Sequence, residues 1–320
     1  MRSRNKVIAS GLTLLELLVV ISVIVLLVAL LVAMNPPRRH GGARQLKDST
    51  QVRGIMQAMI VWGSNNKDMY PLPSMLDTKD ATVPEVGESK NTTGNILSLL
   101  VFNGSISPEI CVSPAEVSSQ IVRHDAYQYT VPSGAVKPAD AMWDPSFRGT
   151  PDDPTTYANL PYPKVGHQSY AHLLPFGNRR KQWGGTGFSP TEAVFGNRGP
   201  TYAQTDAAPS SAKWALLPGA LGESSNTLLI HGGRKTWEGN IGYNDAHVNF
   251  ETRPAPETLT LSIPGARPGK SVSVVDNLFV NETDEVEGDG NSGAVDQGIN
   301  AYLRPVSQVI DAARPRVWRD

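Results

Sequence analysis

The chain has 320 residues, with 29 Lys and Arg against 30 Asp and Glu and a formal net charge of −1. That balance leaves no global field to draw it to nucleic acid or to an anionic membrane surface. Cys111 is the sole cysteine, which excludes an intramolecular disulfide and any Cys-x-x-Cys motif, and it reads as a small buried hydrophobe. Gly (29) and Pro (25) are abundant, as expected of many turns and long loops around modest regular structure.

Residues 1–11 carry Arg2, Arg4 and Lys6 and no acid, and residues 12–34 are apolar except for Thr13, Glu16 and Ser22. A bilayer-spanning helix takes about 20 apolar residues, so 12–34 predicts a single membrane span. The basic leader orients it with the N-terminus in the cytoplasm, leaving the bulk of the chain outside the inner membrane. A secretory signal peptide has a shorter apolar region, roughly 7–15 residues, followed by a small-residue cleavage site. No such site precedes Asn35-Pro36-Pro37. A plain signal anchor accounts for the length and the flanking charge but gives no reason for Glu16. A carboxylate at mid-bilayer costs about 2.5–3.5 kcal/mol, unless it sits near the interface and snorkels.

In Gly11-Leu12-Thr13-Leu14-Leu15-Glu16 a glycine closes the basic leader and a glutamate follows five residues later. This arrangement resembles the leaders of type IV pilins and type II secretion pseudopilins, although Leu12 stands where the family usually has phenylalanine. The resemblance implies cleavage between Gly11 and Leu12 by a prepilin peptidase and N-methylation of Leu12. It also implies pairing of Glu16 with the new α-amino group of Leu12 on a neighbouring subunit, which would favour assembly and fix axial register. The partners are then other pilin or pseudopilin subunits, the peptidase and the inner membrane, with no nucleic acid.

Pro36 and Pro37 predict a kink or short break, because proline lacks an N–H and clashes with the preceding turn. Helical pattern resumes at about Ala43, where Val52, Ile55, Met56, Met59, Ile60 and Gly63 follow the spacing of one helix face. Arg44, Lys47, Asp48, Arg53 and Gln57 mostly fall elsewhere, so residues 35–68 read as an amphipathic continuation with one stripe on a soluble head. Ser64-Asn65-Asn66-Lys67-Asp68 ends it, and residues 69–320 form the extracytoplasmic head. Ile96–Phe102 predicts a short helix or strand, and residues 103–160 predict loops with short strands. Alternation and β-branched content predict strands at Tyr127–Val131, Ser169–Leu174, Glu192–Phe195 and Asn226–Ile230, the last followed by a turn at His231-Gly232-Gly233. Gly239–Phe250 reads as a hairpin turning at Asn244-Asp245-Ala246. Glu282–Asp296 holds six acids and no Lys or Arg, a solvated loop, and residues 299–312 predict a final short helix.

His231 and Asp245-Ala246-His247-Val248 resemble the C-terminal region of a prepilin-like group abundant in planctomycetes, which carries a histidine and then an Asp-Gly-His-Val-like turn. Trp62–Pro73 looks like the end of the long helix in that group. Here thirteen residues separate His231 from Asp245, and Ala246 replaces the glycine. The two resemblances together imply an α+β fold: a long N-terminal helix, half in the membrane, packed on an antiparallel sheet head with long loops.

His167 and His172 lie five apart, and His231, Asp245 and His247 surround the hairpin. A zinc site needs three or four ligands converging at about 2 Å, so these histidines are assigned to turns and no metal is assigned to them. Several secretion pseudopilins bind calcium in a late loop, which makes Asp284, Glu285, Glu287 and Asp289 calcium candidates by resemblance. Their spacing does not match D-x-[DN]-x-[DN]-G, and the solvated loop is the favoured reading. No G-x-S-x-G, P-loop, H-E-x-x-H or C-x-x-C occurs, so no enzyme is expected and no catalytic residue is assigned. The expected function is that of a structural fibre subunit, its head large enough for a minor, tip or surface-binding role. The rival reading is a membrane-anchored binding protein that never polymerises, with Trp143, Trp183 and Trp237 as exposed contact residues. An anchored hydrolase using His172 or His231 is a third.

Overall fold

The computed structural model describes residues 13–34, 40–154, 164–184, 189–204, 214–264, 271–281, 300–310 and 315–320. Gly11, Leu12, Pro36, Pro37 and the acidic segment with Asp284, Glu285, Glu287 and Asp289 lie outside these residues. The chain divides into two compact units, Met1–Gly42 and Ala43–Asp320.

The first unit holds helix α1, Leu14–Met34. Every large apolar side chain from Leu14 to Leu27 is at least half exposed. Among the described residues no helix is long and apolar enough to cross a membrane, the side chains of α1 being described only as far as Leu27.

Helix α2, His40–Asn65, enters the second unit at Ala43 and buries the predicted stripe. Val52, Ile55 and Met56 are completely buried, Met59 is nearly so, and Ile60 packs against the same core. Asn65 and Asn66 close the helix by donating side-chain amides to the carbonyls of Val61 and Trp62 at 3.0 and 2.8 Å. After the single turn α3, Pro73–Leu76, comes α4, Thr93–Phe102, whose cap Thr92 accepts from the Asn95 amide. This settles Ile96–Phe102 as helix.

The sheet contains β1 (Tyr170–Leu173), β2 (Ala193–Asn197), β5 (Gly239–Tyr243), β6 (Val248–Glu251) and β9 (Leu303–Arg304) in the order β6-β5-β2-β1-β9, antiparallel throughout. Three two-stranded ribbons accompany it: β3 (Tyr202–Gln204) with β4 (Trp214–Leu216), β7 (Thr260–Pro264) with β8 (Ser271–Val275), and β10 (Val306–Val309) with β11 (Pro315–Val317). The fold class is α+β, as expected. Helix α2 lies against β5 at Gly242, where an added Cβ would come within 2.7 Å of Met56 Cγ and 3.3 Å of Val52 Cγ1.

Several expected elements are different. Tyr127–Val131 is irregular: it finds no strand partner among the described residues, and the Tyr127 ring packs on His124, Tyr129 and Phe147 instead. Asn226–Leu229 is a 3-10 helix rather than a strand, because the Ser225 side chain caps it by accepting from Thr227 N. The described part of 299–312 is strand, not helix. Leu303 pairs with Leu173 at the sheet edge, and Val306 pairs with Val317. The described part of 103–160 holds 3-10 turns at Pro108–Cys111 and Pro138–Asp140 and no named strand. Cys111 is fully buried in the main core, as expected, and burial pushes its thiol up to about 12.

Candidate functional site

Two arrangements stand out, one at the start of α1 and one where α2 meets the head. At the first, Glu16 Oε2 accepts from both the backbone N–H and the hydroxyl of Thr13, each at 2.9 Å, and the Glu16 N–H donates back to Thr13 Oγ1 at 3.3 Å. This is a reciprocal capping box, which satisfies donors that the first helical turn otherwise strands. Glu16 therefore has a role inside its own helix before any neighbour is considered. Oε1 accepts no hydrogen bond among the described residues.

The second arrangement surrounds Asp48, which sequence reasoning placed off the packed face. It is completely buried, and it lies one helical turn before Val52, on the stripe itself. Asn240 Nδ2 donates to Asp48 Oδ2 at 2.7 Å, His231 Nε2 lies 3.0 Å from the same oxygen, and the Tyr170 hydroxyl donates to Oδ1 at 3.0 Å. That hydroxyl also lies 3.1 Å from Gln51 Oε1, and Asn240 Nδ2 reaches Gln45 O at 3.3 Å. Burial alone would raise the Asp48 carboxyl; the hydrogen bonds from His231, Ser113 and Asn240 and the His231 charge outweigh it and hold the group below the usual carboxylate range. β1 supplies Tyr170, β5 supplies Asn240, and the turn after the 3-10 helix supplies His231. A single carboxylate of α2 thus gathers three separated parts of the head, which fixes both the depth and the rotation of the helix on the sheet.

A related tie closes the far end of α2. The Tyr70 hydroxyl donates to Asn244 Oδ1, and Asn244 Nδ2 donates to Gly184 O and Glu192 Oε2, each at 2.9 Å. The Trp183 ring meets Tyr70 edge-on and donates to Pro71 O at 3.1 Å. Trp62–Pro73 and the hairpin turn, the two stretches singled out in the sequence, therefore meet through Tyr70 and Asn244.

The histidines have separate partners. His231 binds Asp48, whereas Asp245 pairs with His247, whose ring stacks on Tyr243 at 4.5 Å. Ala246 holds a left-handed φ of 69° in that turn, a backbone that glycine adopts without strain. His172 Nε2 lies 2.7 Å from Thr93 Oγ1 and its Nδ1 2.8 Å from Leu173 O. The carbonyl requires Nδ1 to carry the proton, so Thr93 donates to Nε2. Burial pushes His172 down to about 4. His167 Nδ1 accepts from Arg148 N at 2.9 Å; burial, then the His124 and Arg148 charges, bring it down to about 3. Among the described residues no three His, Cys, Asp or Glu side chains are grouped to hold a metal ion. Trp143, Trp183 and Trp237 are all buried, which corrects their reading as exposed contacts: each indole N–H has an internal acceptor, on Asn95, Pro71 and Arg198 respectively.

No protein-family model, curated protein or solved structure matches this chain.

Proposed function

We propose that the chain is a structural subunit of a type II secretion pseudopilus or type IV pilus-like fibre, processed between Gly11 and Leu12 and assembled through its N-terminal helix. The observation that carries this reading is Glu16 itself. It is a carboxylate at the head of an apolar helix, with one oxygen held by Thr13 and the other unpartnered among the described residues. An α-amino group released at Leu12 of a neighbour would supply the missing partner. Two further features support it. In the sequence, the run 12–34 is apolar except for Thr13, Glu16 and Ser22 and has the length that a bilayer span takes. A helix apolar all round needs lipid or other helices to cover it, and both are on offer to a subunit that waits in the inner membrane and then polymerises. The load-carrying joint between helix and head is the Asp48 cluster. With Trp143, Trp183 and Trp237 buried, none of these indoles is offered to an outside partner.

The test is the N-terminal sequence and mass of the protein co-expressed with a prepilin peptidase. A mature chain starting at Leu12, one methyl heavier, is expected. An intact Met1 start under those conditions overturns the processing reading. Glu16→Leu is then expected to abolish fibre formation while leaving membrane insertion intact; unchanged assembly would leave Glu16 with only its capping role.

A further inference from the structure

Away from the α2 joint, a cavity of about 340 Å³ opens on the head between the turn before α4 and strand β10. Pro84, Glu85, Ser89, Thr92, Pro154, Gln308 and Val309 line it. Glu85 Oε2 is buried and accepts no hydrogen bond among the described residues. The nearby cation, Lys90, makes its ion pairs elsewhere, 3.0 Å from Asp77 Oδ2 and 2.6 Å from Asp80 Oδ1, and acts on Glu85 only through its charge. A buried acceptor left unpaired costs about 1–3 kcal/mol, more for a charged group. Burial, with the neighbouring Asp153 charge, pushes the Glu85 carboxyl up, against a backbone hydrogen bond and the Lys90 charge, which oppose it. The remaining polar groups on the wall are two hydroxyls and an amide, each with an acceptor oxygen, while the two prolines and Val309 give apolar surface.

From this geometry we propose that the cavity binds a primary ammonium group on a short alkyl stem, a free small amine or the side chain of a lysine. An ammonium has three donors and no acceptor. Glu85 takes one and supplies the opposite charge; the Ser89 and Thr92 hydroxyls and the Gln308 carbonyl oxygen are the acceptors for the others. The methylenes lie along Pro84, Pro154 and Val309, as lysine stems do on apolar surface elsewhere. A bare metal ion fits less well, because a hard cation of the calcium type takes six to eight oxygens at close range and would leave most of this volume unused. An anion would meet Glu85 with like charge.

The experiment is calorimetric titration of the full-length protein in detergent with butylammonium chloride, and with butanol as the neutral isostere. Saturable binding of butylammonium without binding of butanol is expected, weakened at least tenfold by Glu85→Gln and severalfold by Gln308→Leu, with thermal unfolding used to establish that each variant is folded. Nα-acetyl-lysine-N-methylamide, titrated alongside, distinguishes the sources: tighter binding than butylammonium points to a lysine side chain, weaker to a free amine. Absence of saturable butylammonium binding, or equal binding by folded Glu85→Gln, overturns the proposal.

Discussion

Replacing Asp48 by alanine tests the joint between helix and head directly. The substitution removes a carboxylate that three groups address, from Asn240 at 2.7 Å and from His231 and Tyr170 at 3.0 Å each. Each donor then loses its charged acceptor in a site with no solvent contact, at about 1–3 kcal/mol per stranded group. Tyr170 keeps Gln51 and Asn240 keeps the Gln45 carbonyl as alternatives, so the full sum is not reached, and the expected loss is about 3–5 kcal/mol, the range for breaking a buried ion pair. Against a total stability of about 5–15 kcal/mol this is a large fraction. The assay is urea unfolding followed by tryptophan fluorescence, since Trp143, Trp183 and Trp237 are all buried. His231→Ala and the double variant complete a cycle, in which residues sharing one hydrogen-bond network are expected to couple by roughly 0.5–3 kcal/mol. A loss below about 1 kcal/mol for Asp48→Ala, together with strict additivity in the cycle, would show that the cluster does not carry the joint.

Three further outcomes are expected. Ala246→Gly relieves the left-handed φ of 69° and should stabilise the head by roughly 0.5–1 kcal/mol, read as a higher urea midpoint; a lower midpoint refutes the assignment of strain. Gly242→Ala places a methyl 2.7 Å from Met56 Cγ and should cost about 1–3 kcal/mol by overpacking, a cost that Met56→Ala in the same chain should partly recover. His172 is depressed to about 4 from an ordinary 6.5, so below pH 6.5 the unfolded chain takes up a proton that the folded chain refuses. Stability should fall by about 3 kcal/mol between pH 6.5 and 4 from this residue, and His172→Gln should flatten that part of the profile; an unchanged slope contradicts the assignment.

What the sequence made legible was what rests on local periodicity. The stripe from Val52 to Gly63 is a single-helix pattern and is buried as such. The hairpin at Gly239–Phe250 has its own turn chemistry and pairs in register from Gly239 with Glu251 to Gly242 with Val248. What escaped depends on distant partners. Asp48 looks like any solvated helix charge until His231, Asn240 and Tyr170 arrive from positions more than a hundred residues away. Its position one turn before Val52, as the sole acid of α2, was the available signal. Asn244 is similarly unremarkable in sequence, a turn residue whose side chain proves to be buried and bound to Tyr70. The strand expected at Tyr127–Val131 had the right residue types but no edge to pair with among the described residues, and the strands at 303–309 depend on β1 and β11, which no local pattern names. The tryptophans were misread for a related reason: an indole needs an acceptor when buried, and each acceptor here lies far along the chain.

Cys111 gives this molecule a built-in clock. A thiol pushed up to about 12 and shielded from solvent has almost no thiolate at neutral pH, and thiolate is the form that reacts with oxidants and alkylating reagents. The folded protein is therefore protected from accidental cross-linking so long as this core remains closed. When a head opens, the same sulfur becomes an ordinary reactive thiol. The rate at which a labelling reagent captures it then reports the opening of the core, in the native chain and with no added probe.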